Sequence, residues 1–260
     1  MRSDNHSYRY GDGLFETMKM VKGDIINKEF HFERLFTGLS LLQFEIPKNF
    51  NAPFLEKKSK EIAAKNKHTN VARIRLMVFR GNGGIFDPEN LLPEYIIETS
   101  SLPSENQLNE NGLVVDVFPD AKKSCDLFSN LKSNNYLPYI MAGLFAQKNK
   151  LNDCIVLNSF ERICDSAIAN IFIIGDNNIY TPPLTEGCVA GTMRRWMLER
   201  FDLKKYHVIE KKLSINDILN AEEFFLTNSI SHLRWVRQFR DKNYSNKKIK
   251  EIYRHVLQTI

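Results

Sequence analysis

A polar, turn-rich segment near the middle of the chain most constrains how it can fold. PDAKKSCDLFSNLKSNN, residues 119–135, separates two stretches that each contain alternating and helical apolar patterns. Polar, irregular composition of this kind marks a connection rather than a packed element, so we expect a domain junction here. The sequence therefore predicts a smaller N-terminal α/β domain over residues 1–118, a junction over 119–135 and a larger C-terminal α/β domain over 136–260.

The first half reads as strands with two helices packed on them. ARIRLMVFR, residues 72–80, alternates apolar and basic side chains, which is typical of a half-buried strand. Apolar residues at helical spacing after His31 predict a helix that Pro47 ends. We expect further strands at residues 14–21, 94–100 and 112–119, and a second helix at residues 53–67.

The second half predicts a mixed α/β arrangement of short strands and helices. GDNN, residues 175–178, is a strong turn signal between two apolar runs and predicts a hairpin. Ser214 and Asp217 have the spacing of a capping box at a helix start. The expected strands cover residues 154–158, 171–174, 179–181 and 224–227, and the expected helices cover 137–150, 191–201 and 245–257.

Composition limits the classes of partner. The apolar runs are far shorter than the roughly 20 residues that a membrane span needs, so we expect no membrane partner. The net charge of +5 is spread along the chain, which suits anionic small molecules and gives no argument for nucleic acid. The four cysteines form no C-x-x-C pair and no metal-ligand spacing, and the N-terminal MRSDNHSYRYGDG is polar. We therefore expect a cytoplasmic protein with reduced thiols and no metal.

Six short motifs in a fixed order carry more information than any one of them. They are YGDGLFET at 10–17, HFERL at 31–35, NLKSNNYLP at 130–138, RICDSAIANIFII at 162–174, GTMRR at 191–195 and FFLTNSIS at 224–231. This succession resembles the class-IV aminotransferase superfamily over nearly the whole chain, from about residue 8 onward. The resemblance implies a two-domain, mixed α/β (α+β) fold of the D-amino-acid aminotransferase-like type, fold type IV. It also implies pyridoxal 5'-phosphate as the cofactor and a homodimer as the assembly.

Lys132 matches the lysine with which this family forms a Schiff base to its cofactor. Such a lysine must be held still and kept from bulk water, because the neutral amine is both the nucleophile and the base. A lysine at a domain junction, directly before an apolar helix, is well placed for this. The resemblance therefore assigns Lys132 as the catalytic residue.

The phosphate of the cofactor needs donors and positive charge. Arg34 in HFERL matches the family's phosphate-binding arginine, whose fork can bind two oxygens. The start of the helix in GTMRR offers backbone N–H groups and the positive end of the helix dipole. The turn in TNSIS offers hydroxyl and backbone donors. The residues that these two segments contribute are Gly191, Thr192, Met193, Asn228 and Ser229.

Two further residues match positions near the cofactor's ring. Asp165 stands where the family has a glutamate that keeps the pyridine nitrogen protonated, and it is shorter by one methylene. This departure leaves three readings open: the backbone moves inward, a water bridges the gap, or the ring is less fully protonated. Tyr136 matches a tyrosine that bonds the cofactor's phenolic oxygen in some relatives, and it could equally pack between domains.

Two positions bear on the substrate. Phe15 stands where D-amino-acid aminotransferases carry a tyrosine that meets the substrate carboxylate, which weighs against that activity. Arg80 lies in FRGNGGIFDP, a glycine-rich loop like one that lyases of the family carry near the active site. A lyase typically continues this loop with a second arginine, and here Ile85 stands instead.

The substrate is expected to be a small molecule with an amino group, and three functions remain open. The short chain, the GTMRR version of the helix start and the GNGG loop favour a 4-amino-4-deoxychorismate lyase, which releases pyruvate and 4-aminobenzoate. The alternative is an aminotransferase that acts on branched-chain or other amino acids. A relative that binds the cofactor without turnover is the third.

Overall fold

The computed structural model describes residues 5–84, 91–103 and 107–260. The chain forms two compact units. The first comprises Met1–Glu105 and Leu131–Asn135, and the second comprises Asn106–Asn130 and Tyr136–Ile260. Both units are therefore discontinuous in sequence.

The first unit is an antiparallel sheet with helices on one face. Its elements are α1 (His6–Tyr10), β1 (Gly13–Val21), β2 (Asp24–Ile25), α2 (Lys28–Leu41), α3 (Ala52–Lys65), β3 (Val71–Arg80) and β4 (Pro93–Ser101). Within the described residues the strand order is β2-β1-β3-β4, and every neighbouring pair is antiparallel. The predicted strand at residues 72–80 is confirmed as the centre of this sheet.

The alternation in β3 decides which face of the sheet is covered. Ile74, Leu76 and Val78 are fully buried and belong to the same apolar cluster as Leu35 and Leu39 of α2. The intervening side chains, which include Arg75, point to the other face. One face of the sheet therefore forms the core with the helices, while the other face carries Arg73 and Arg75 together with apolar side chains such as Phe79.

The end of α2 differs from the sequence prediction. We expected the helix to continue to Pro47, but it ends at Leu41. Gln43 has φ 59, a left-handed conformation, and the Phe44 N–H donates to the Leu39 carbonyl at 3.0 Å. This arrangement closes the helix C-terminus and turns Phe44 back into the core, where its apolar ring is buried.

The second unit contains a larger sheet. Its elements are β5 (Leu113–Val117), α4 (Leu137–Lys148), β6 (Asp153–Leu157), β7 (Ile163–Ser166), β8 (Asn170–Gly175), β9 (Asn178–Thr181), a 3₁₀ turn (Leu184–Glu186), α5 (Thr192–Glu199), β10 (His207–Glu210), α6 (Ile215–Asn220), β11 (Glu223–Asn228), β12 (His232–Phe239), β13 (Lys242–Asn243) and α7 (Lys247–Thr259). In the part of the chain that the structure describes, the order is β10-β9-β8-β11-β12-β5-β6-β7, with β13 on β12.

Several local predictions for this half are confirmed. The hairpin turn lies at Asp176 and Asn177, which both have positive φ, between β8 and β9. The capping box at Ser214 and Asp217 is formed at the start of α6. β5, however, pairs in parallel with β12 and β6 of the second unit. The compact units therefore divide after residues 105, 130 and 135, so the expected bound after residue 135 coincides with a division and the bound at residue 118 does not.

No helix within residues 5–84, 91–103 and 107–260 combines the length and apolar character that crossing a bilayer requires.

Candidate active site

The main chain of Lys132 lies alongside strand β1. The Phe15 N–H donates to the Lys132 carbonyl at 2.9 Å, and the Asn134 N–H donates to the Gly13 carbonyl at 2.9 Å. Leu14 and Ser133 form an antiparallel bridge between these two bonds. A rigid sheet strand therefore positions the predicted lysine, although the lysine itself belongs to an irregular segment.

Phe15 brings two cations together on one aromatic ring. The ring is buried, with 4% of the residue exposed. The Lys132 Nζ lies 4.5 Å from its centroid, and the Arg75 Cζ lies 4.2 Å from it. Cations are attracted to the negative face of a ring, and this attraction strengthens when water is excluded. The structure thus places a guanidinium and the candidate amine against the same ring.

Arg75 is a residue that the sequence analysis missed. In the register of β1 with β3, Met77 faces Phe15 and Arg75 faces Thr17, so Arg75 is a diagonal neighbour of Phe15. The alternation of basic and apolar residues in ARIRLMVFR indicated which face Arg75 occupies. The pairing of β3 with β1, which no local pattern predicts, was the missing information.

Arg34 is anchored by a buried carboxylate. Its Nε donates to Glu16 Oε1 at 2.8 Å, and its Nη2 donates to Glu16 Oε2 at 2.5 Å. Burial alone would raise the pKa of Glu16, but the charges of Arg34 and His31 and their hydrogen bonds lower it to about 2. This fork fixes the plane of the guanidinium, and a guanidinium whose plane is fixed can meet an anion in one defined orientation.

His31 completes this cluster. Its Nδ1 lies 2.5 Å from Glu16 Oε2, and both side chains are 1% exposed. Burial lowers the pKa of His31, and the cations Arg34 and Lys132 act in the same direction against the opposing effect of Glu16. Glu16 and Arg34 form the ion pair of this cluster, and His31 Nδ1 lies within hydrogen-bond distance of the same carboxylate. The electrostatic effect of Lys132 on His31 connects the cluster to the candidate lysine.

Arg80, predicted near the substrate, has contacts that fit a structural role. Its Nη1 donates to Asp12 Oδ2 at 2.9 Å, and its Nη2 donates to the Leu42 carbonyl. Its guanidinium carbon lies 4.5 Å from the centroid of the Phe44 ring. A substrate role for Arg80 stays a prediction, and the comparison with lyases at Ile85 lies outside the described residues.

In the second unit, the start of α5 brings two predicted residues together. Thr192 Oγ1 and Ser229 Oγ are 2.9 Å apart, within hydrogen-bond distance. Gly191 is the N-cap, and a Cβ there would lie 1.8 Å from Asn170 Oδ1. The N–H groups of the first helical turn, including that of the buried Met193, have no acceptor within the helix. Hydroxyls, a helix start and a glycine that permits close approach form a donor set that fits a phosphate.

Asn228 shapes the turn that carries Ser229. Its Oδ1 accepts from the backbone N–H groups of Ile230 at 3.0 Å and Ser231 at 2.9 Å. An asparagine side chain that accepts from the following backbone fixes a tight turn. Asn228 therefore positions the Ser229 hydroxyl through its own side chain.

Asp165 is buried in β7, and its carboxylate accepts from several protein donors. Oδ2 accepts from the Tyr139 hydroxyl at 2.7 Å, the Val189 N–H at 2.9 Å and the Lys123 ammonium at 3.2 Å. Oδ1 accepts from Asn170 Nδ2 at 3.0 Å. The sequence analysis missed the contacts of Asp165 with Lys123 and Tyr139, because no local signal marks pairs that are 42 and 26 residues apart.

Tyr136 lies close to the same segment. Its hydroxyl donates to the Ala167 carbonyl at 3.3 Å, and its ring centroid is 4.5 Å from that of Tyr139. Asp153 supports this segment from behind, because its carboxylate accepts from the Ser166 hydroxyl at 2.9 Å and the Ala167 N–H at 3.0 Å. The described contacts of Tyr136 are thus with Tyr139 and with the loop after Asp165, and its predicted contact with the cofactor stays a prediction.

The comparisons with known proteins identify the class. The family model of amino-transferase class IV matches residues 13–239, and the chain belongs to this family. The predicted fold type IV and the predicted pyridoxal-phosphate-dependent enzyme are confirmed on this basis.

Individual relatives divide between two activities. An aminodeoxychorismate lyase of Vibrio harveyi is 28% identical over 229 residues, which cover 87% of this chain and 82% of the relative. A D-alanine aminotransferase of Bacillus licheniformis is 23% identical over 233 residues, covering 88% and 80%. The crystal structure of the branched-chain amino acid aminotransferase of Escherichia coli superposes with a TM-score of 0.88 at 21% identity, covering 99% and 88%. This structural likeness shows the fold.

Proposed function

We propose that this enzyme is a 4-amino-4-deoxychorismate lyase, which converts its substrate into 4-aminobenzoate and pyruvate. The observation that carries the proposal is the arrangement on Phe15, where the Arg75 guanidinium and the Lys132 amine lie on one buried ring. The substrate carries carboxylates as well as an amino group, so a fixed guanidinium near the reactive amine suits it. The 28% identity to the Vibrio harveyi lyase supports the same activity.

Both units carry residues that suit pyridoxal phosphate. The first unit supplies the Lys132 amine and the Arg34 guanidinium, which Glu16 holds in one orientation. The second unit supplies the hydroxyls of Thr192 and Ser229 and the first turn of α5 for the phosphate. When bound, pyridoxal phosphate supplies an aldehyde that condenses with amines and a ring that accepts electron density from the neighbouring carbon.

Lys132 moves the proton in the proposed reaction. Its Nζ takes the proton from the substrate carbon that bears the amino group. The bond from the neighbouring ring carbon to the ether oxygen then breaks, and enolpyruvate leaves. A proton added to its methylene carbon gives pyruvate, while the ring that remains becomes aromatic. Arg75 binds a carboxylate throughout and orients the C–H bond toward Nζ.

An aminotransferase is the second candidate function. The similarity to the Bacillus licheniformis D-alanine aminotransferase over 88% of the chain supports it. The same residues could serve this reaction, since transamination also begins with removal of a proton by the lysine. The two reactions differ in their products: a lyase forms an aromatic amine and pyruvate, whereas an aminotransferase forms a new 2-keto acid and passes the amino group on.

The deciding experiment compares products from the same cofactor-loaded protein. One reaction contains 4-amino-4-deoxychorismate and is followed by 4-aminobenzoate fluorescence and by a pyruvate-coupled dehydrogenase. The other contains branched-chain amino acids or D-alanine with 2-oxoglutarate and is followed by keto-acid formation. We expect 4-aminobenzoate and pyruvate in equal amounts. If keto acids are the only products, the protein is an aminotransferase and not a lyase. If neither reaction gives a product, the protein binds the cofactor without turnover.

Matched lysine variants test the role of Lys132. Borohydride reduction of the loaded protein should attach the cofactor covalently to residue 132, as peptide mass spectrometry detects. Lys132→Ala should lose both the adduct and turnover. Lys57→Ala, which removes an exposed lysine of α3, should retain both. An adduct at another lysine in the unaltered protein would contradict the assignment.

We also propose that α4 mediates a homodimer. Its exposed side carries Leu137, Ile140, Met141 and Leu144, which are 45–63% exposed and lie at helical spacing. Its opposite side packs inward through Tyr139, Ala142 and Ala146. A continuous apolar stripe without charges marks an interaction surface, and a second copy of this chain is the occupant that the family's usual assembly indicates.

A further inference from the structure

Lys123 is held firmly against the carboxylate of Asp165. Its Nζ lies 3.2 Å from Asp165 Oδ2 and 5.1 Å from the centroid of the Tyr139 ring. Its side chain is only 12% exposed. The main chain is fixed as well, because the Lys123 N–H donates to the Leu157 carbonyl at 2.9 Å and the Lys123 carbonyl accepts from the Ser159 N–H at 3.1 Å. Lys123 is therefore a fixed member of the hydrogen-bonded group around Asp165 and not a mobile surface side chain.

The acceptor capacity of Asp165 is largely used by the protein. A carboxylate oxygen offers about two lone-pair sites, and Oδ2 already receives donors from Lys123, Tyr139 and Val189. Oδ1 receives one donor, Asn170 Nδ2. A further donor, such as a protonated ring nitrogen, would have to share Oδ1 with Asn170.

The negative charge of Asp165 is also balanced by a neighbouring cation. The other titratable groups around it are Tyr139, Cys164 and Cys188. Burial raises the pKa of all three, and the Asp165 charge raises them further, so they are neutral at physiological pH. Within the described residues, the recorded cation on the carboxylate is Lys123. The ion pair therefore leaves little net negative charge at this position.

We propose that Lys123 is a positioning residue that sets the protonation of the cofactor's ring nitrogen. The inference rests on the proposed function and on the sequence prediction that Asp165 faces that nitrogen. A carboxylate with unmatched charge favours the protonated ring, whereas Asp165 shares its charge with the Lys123 ammonium, which also repels a second cation. Lys123 thereby keeps the ring nitrogen less protonated than Asp165 alone would.

A ring nitrogen that is less protonated suits the proposed elimination. A ring that is less protonated withdraws electrons less strongly from the substrate carbon. Loss of enolpyruvate creates an aromatic product, and the gain of aromaticity supplies driving force that transamination does not have. Lys123 thus favours a reaction that can proceed with a weaker electron acceptor, which deepens the lyase proposal.

The test measures the ring nitrogen and not turnover. Pyridoxal phosphate labelled with ¹⁵N in its ring is loaded into the protein, and the ¹⁵N chemical shift is followed against pH. Lys123→Met should raise the protonation midpoint of the ring nitrogen by about one pH unit or more, because removal of a nearby cation stabilises the charged ring. Lys123→Gln, which can still donate to Asp165 without charge, should raise it similarly. Lys123→Arg should leave it near that of the unaltered protein.

Lys122→Met is the matched control. Lys122 is the neighbouring residue, and its Nζ pairs with the exposed Glu161 at 2.7 Å, so its removal should leave the midpoint unchanged. If the cofactor is bound but neither Lys123→Met nor Lys123→Gln raises the protonation midpoint, the inference is overturned. The proposed function is then unaffected. If the unaltered protein gives no signal of bound cofactor, the proposed function and the inference both fail. Should Lys123→Met not fold, Lys123→Gln decides alone.

Discussion

Glu16 binds Arg34 through both of its oxygens: Nε donates to Oε1 at 2.8 Å and Nη2 donates to Oε2 at 2.5 Å. The pair is buried, since Glu16 is 1% and the Arg34 side chain 12% exposed. A lone carboxylate at this depth would be costly, and the arginine offsets that cost. The same contact sets the orientation of the residue proposed to bind phosphate, so stability and binding depend on one ion pair.

Glu16→Gln should destabilise the protein in a pH-dependent manner. The pKa of Glu16 is about 2 in the folded protein and 4.5 as an ordinary glutamate, so its ionised form stabilises the fold above pH 4.5 by about 3 kcal/mol. This contribution should decrease as the pH falls below 4.5 and vanish near 2. Urea unfolding of the cofactor-free protein across this range measures it. Glu61→Gln, at an exposed ion pair with Lys58, is the control. Equal stability of Glu16→Gln and the unaltered protein at pH 7 would refute the prediction.

Gly191→Ala should weaken cofactor binding. The new Cβ would lie 1.8 Å from Asn170 Oδ1, and Asn170 is itself held by bonds to Asp165 and to the Val189 carbonyl. The start of α5 must therefore shift away, and we expect the Kd for pyridoxal phosphate to rise at least about tenfold. Equilibrium titration measures this. Gly143→Ala, where a Cβ meets nothing within 4 Å, should leave the Kd unchanged and stabilise α4 slightly.

Arg75→Met should raise the KM for carboxylate substrates by about 10- to 100-fold, because a charge-assisted bond to the carboxylate is lost while the apolar stem on Phe15 remains. Steady-state kinetics with the substrate that proves active measures the effect. Arg73→Met changes an exposed arginine two residues away in the same strand and should alter KM less than about twofold. Similar KM values in the two variants would argue against a substrate role for Arg75.

Charges introduced on α4 should separate the homodimer. The double variant Ile140→Glu/Leu144→Glu places two carboxylates in the exposed apolar stripe, and burying them in an interface is unfavourable. Sedimentation velocity should show a dimer for the unaltered chain and a monomer for this variant. Gln147→Glu/Lys148→Glu, on exposed positions of the same helix, should remain dimeric. A monomeric unaltered chain at micromolar concentration would contradict the proposed interface.

Local signals in the sequence predicted much of the fold. Alternation identified β3, turn residues identified the β8–β9 hairpin, and the spacing of Ser214 and Asp217 identified the start of α6. These features depend on neighbours within a few residues. The predicted end of α2 at Pro47 was wrong, because the left-handed conformation of Gln43 ends the helix although the apolar pattern continues to Ile46.

The contact partners of the site residues were harder to predict from the sequence. The ordered motifs pointed to Lys132, Arg34 and Asp165, yet their contacts with Phe15, Glu16 and Lys123 join residues 18 to 117 positions apart in sequence. Such contacts follow from strand register and long-range packing, which leave no periodic signal in one sequence. The contact of Glu16 with Arg34 depends on how β1 and α2 pack against each other, which the sequence pattern does not predict.

Residues 131–135 belong to the first unit, whereas the residues on either side of them belong to the second. A truncated fragment that stops at Glu105 would thus lose the backbone hydrogen bonds that join Phe15 and Gly13 to residues 132 and 134. It would also lose the Leu131 side chain near Gly38. Neither half can be produced as one uninterrupted piece of gene. A gene for the first unit alone should therefore append this short segment, because otherwise the fragment lacks Lys132 and the backbone bridge to β1.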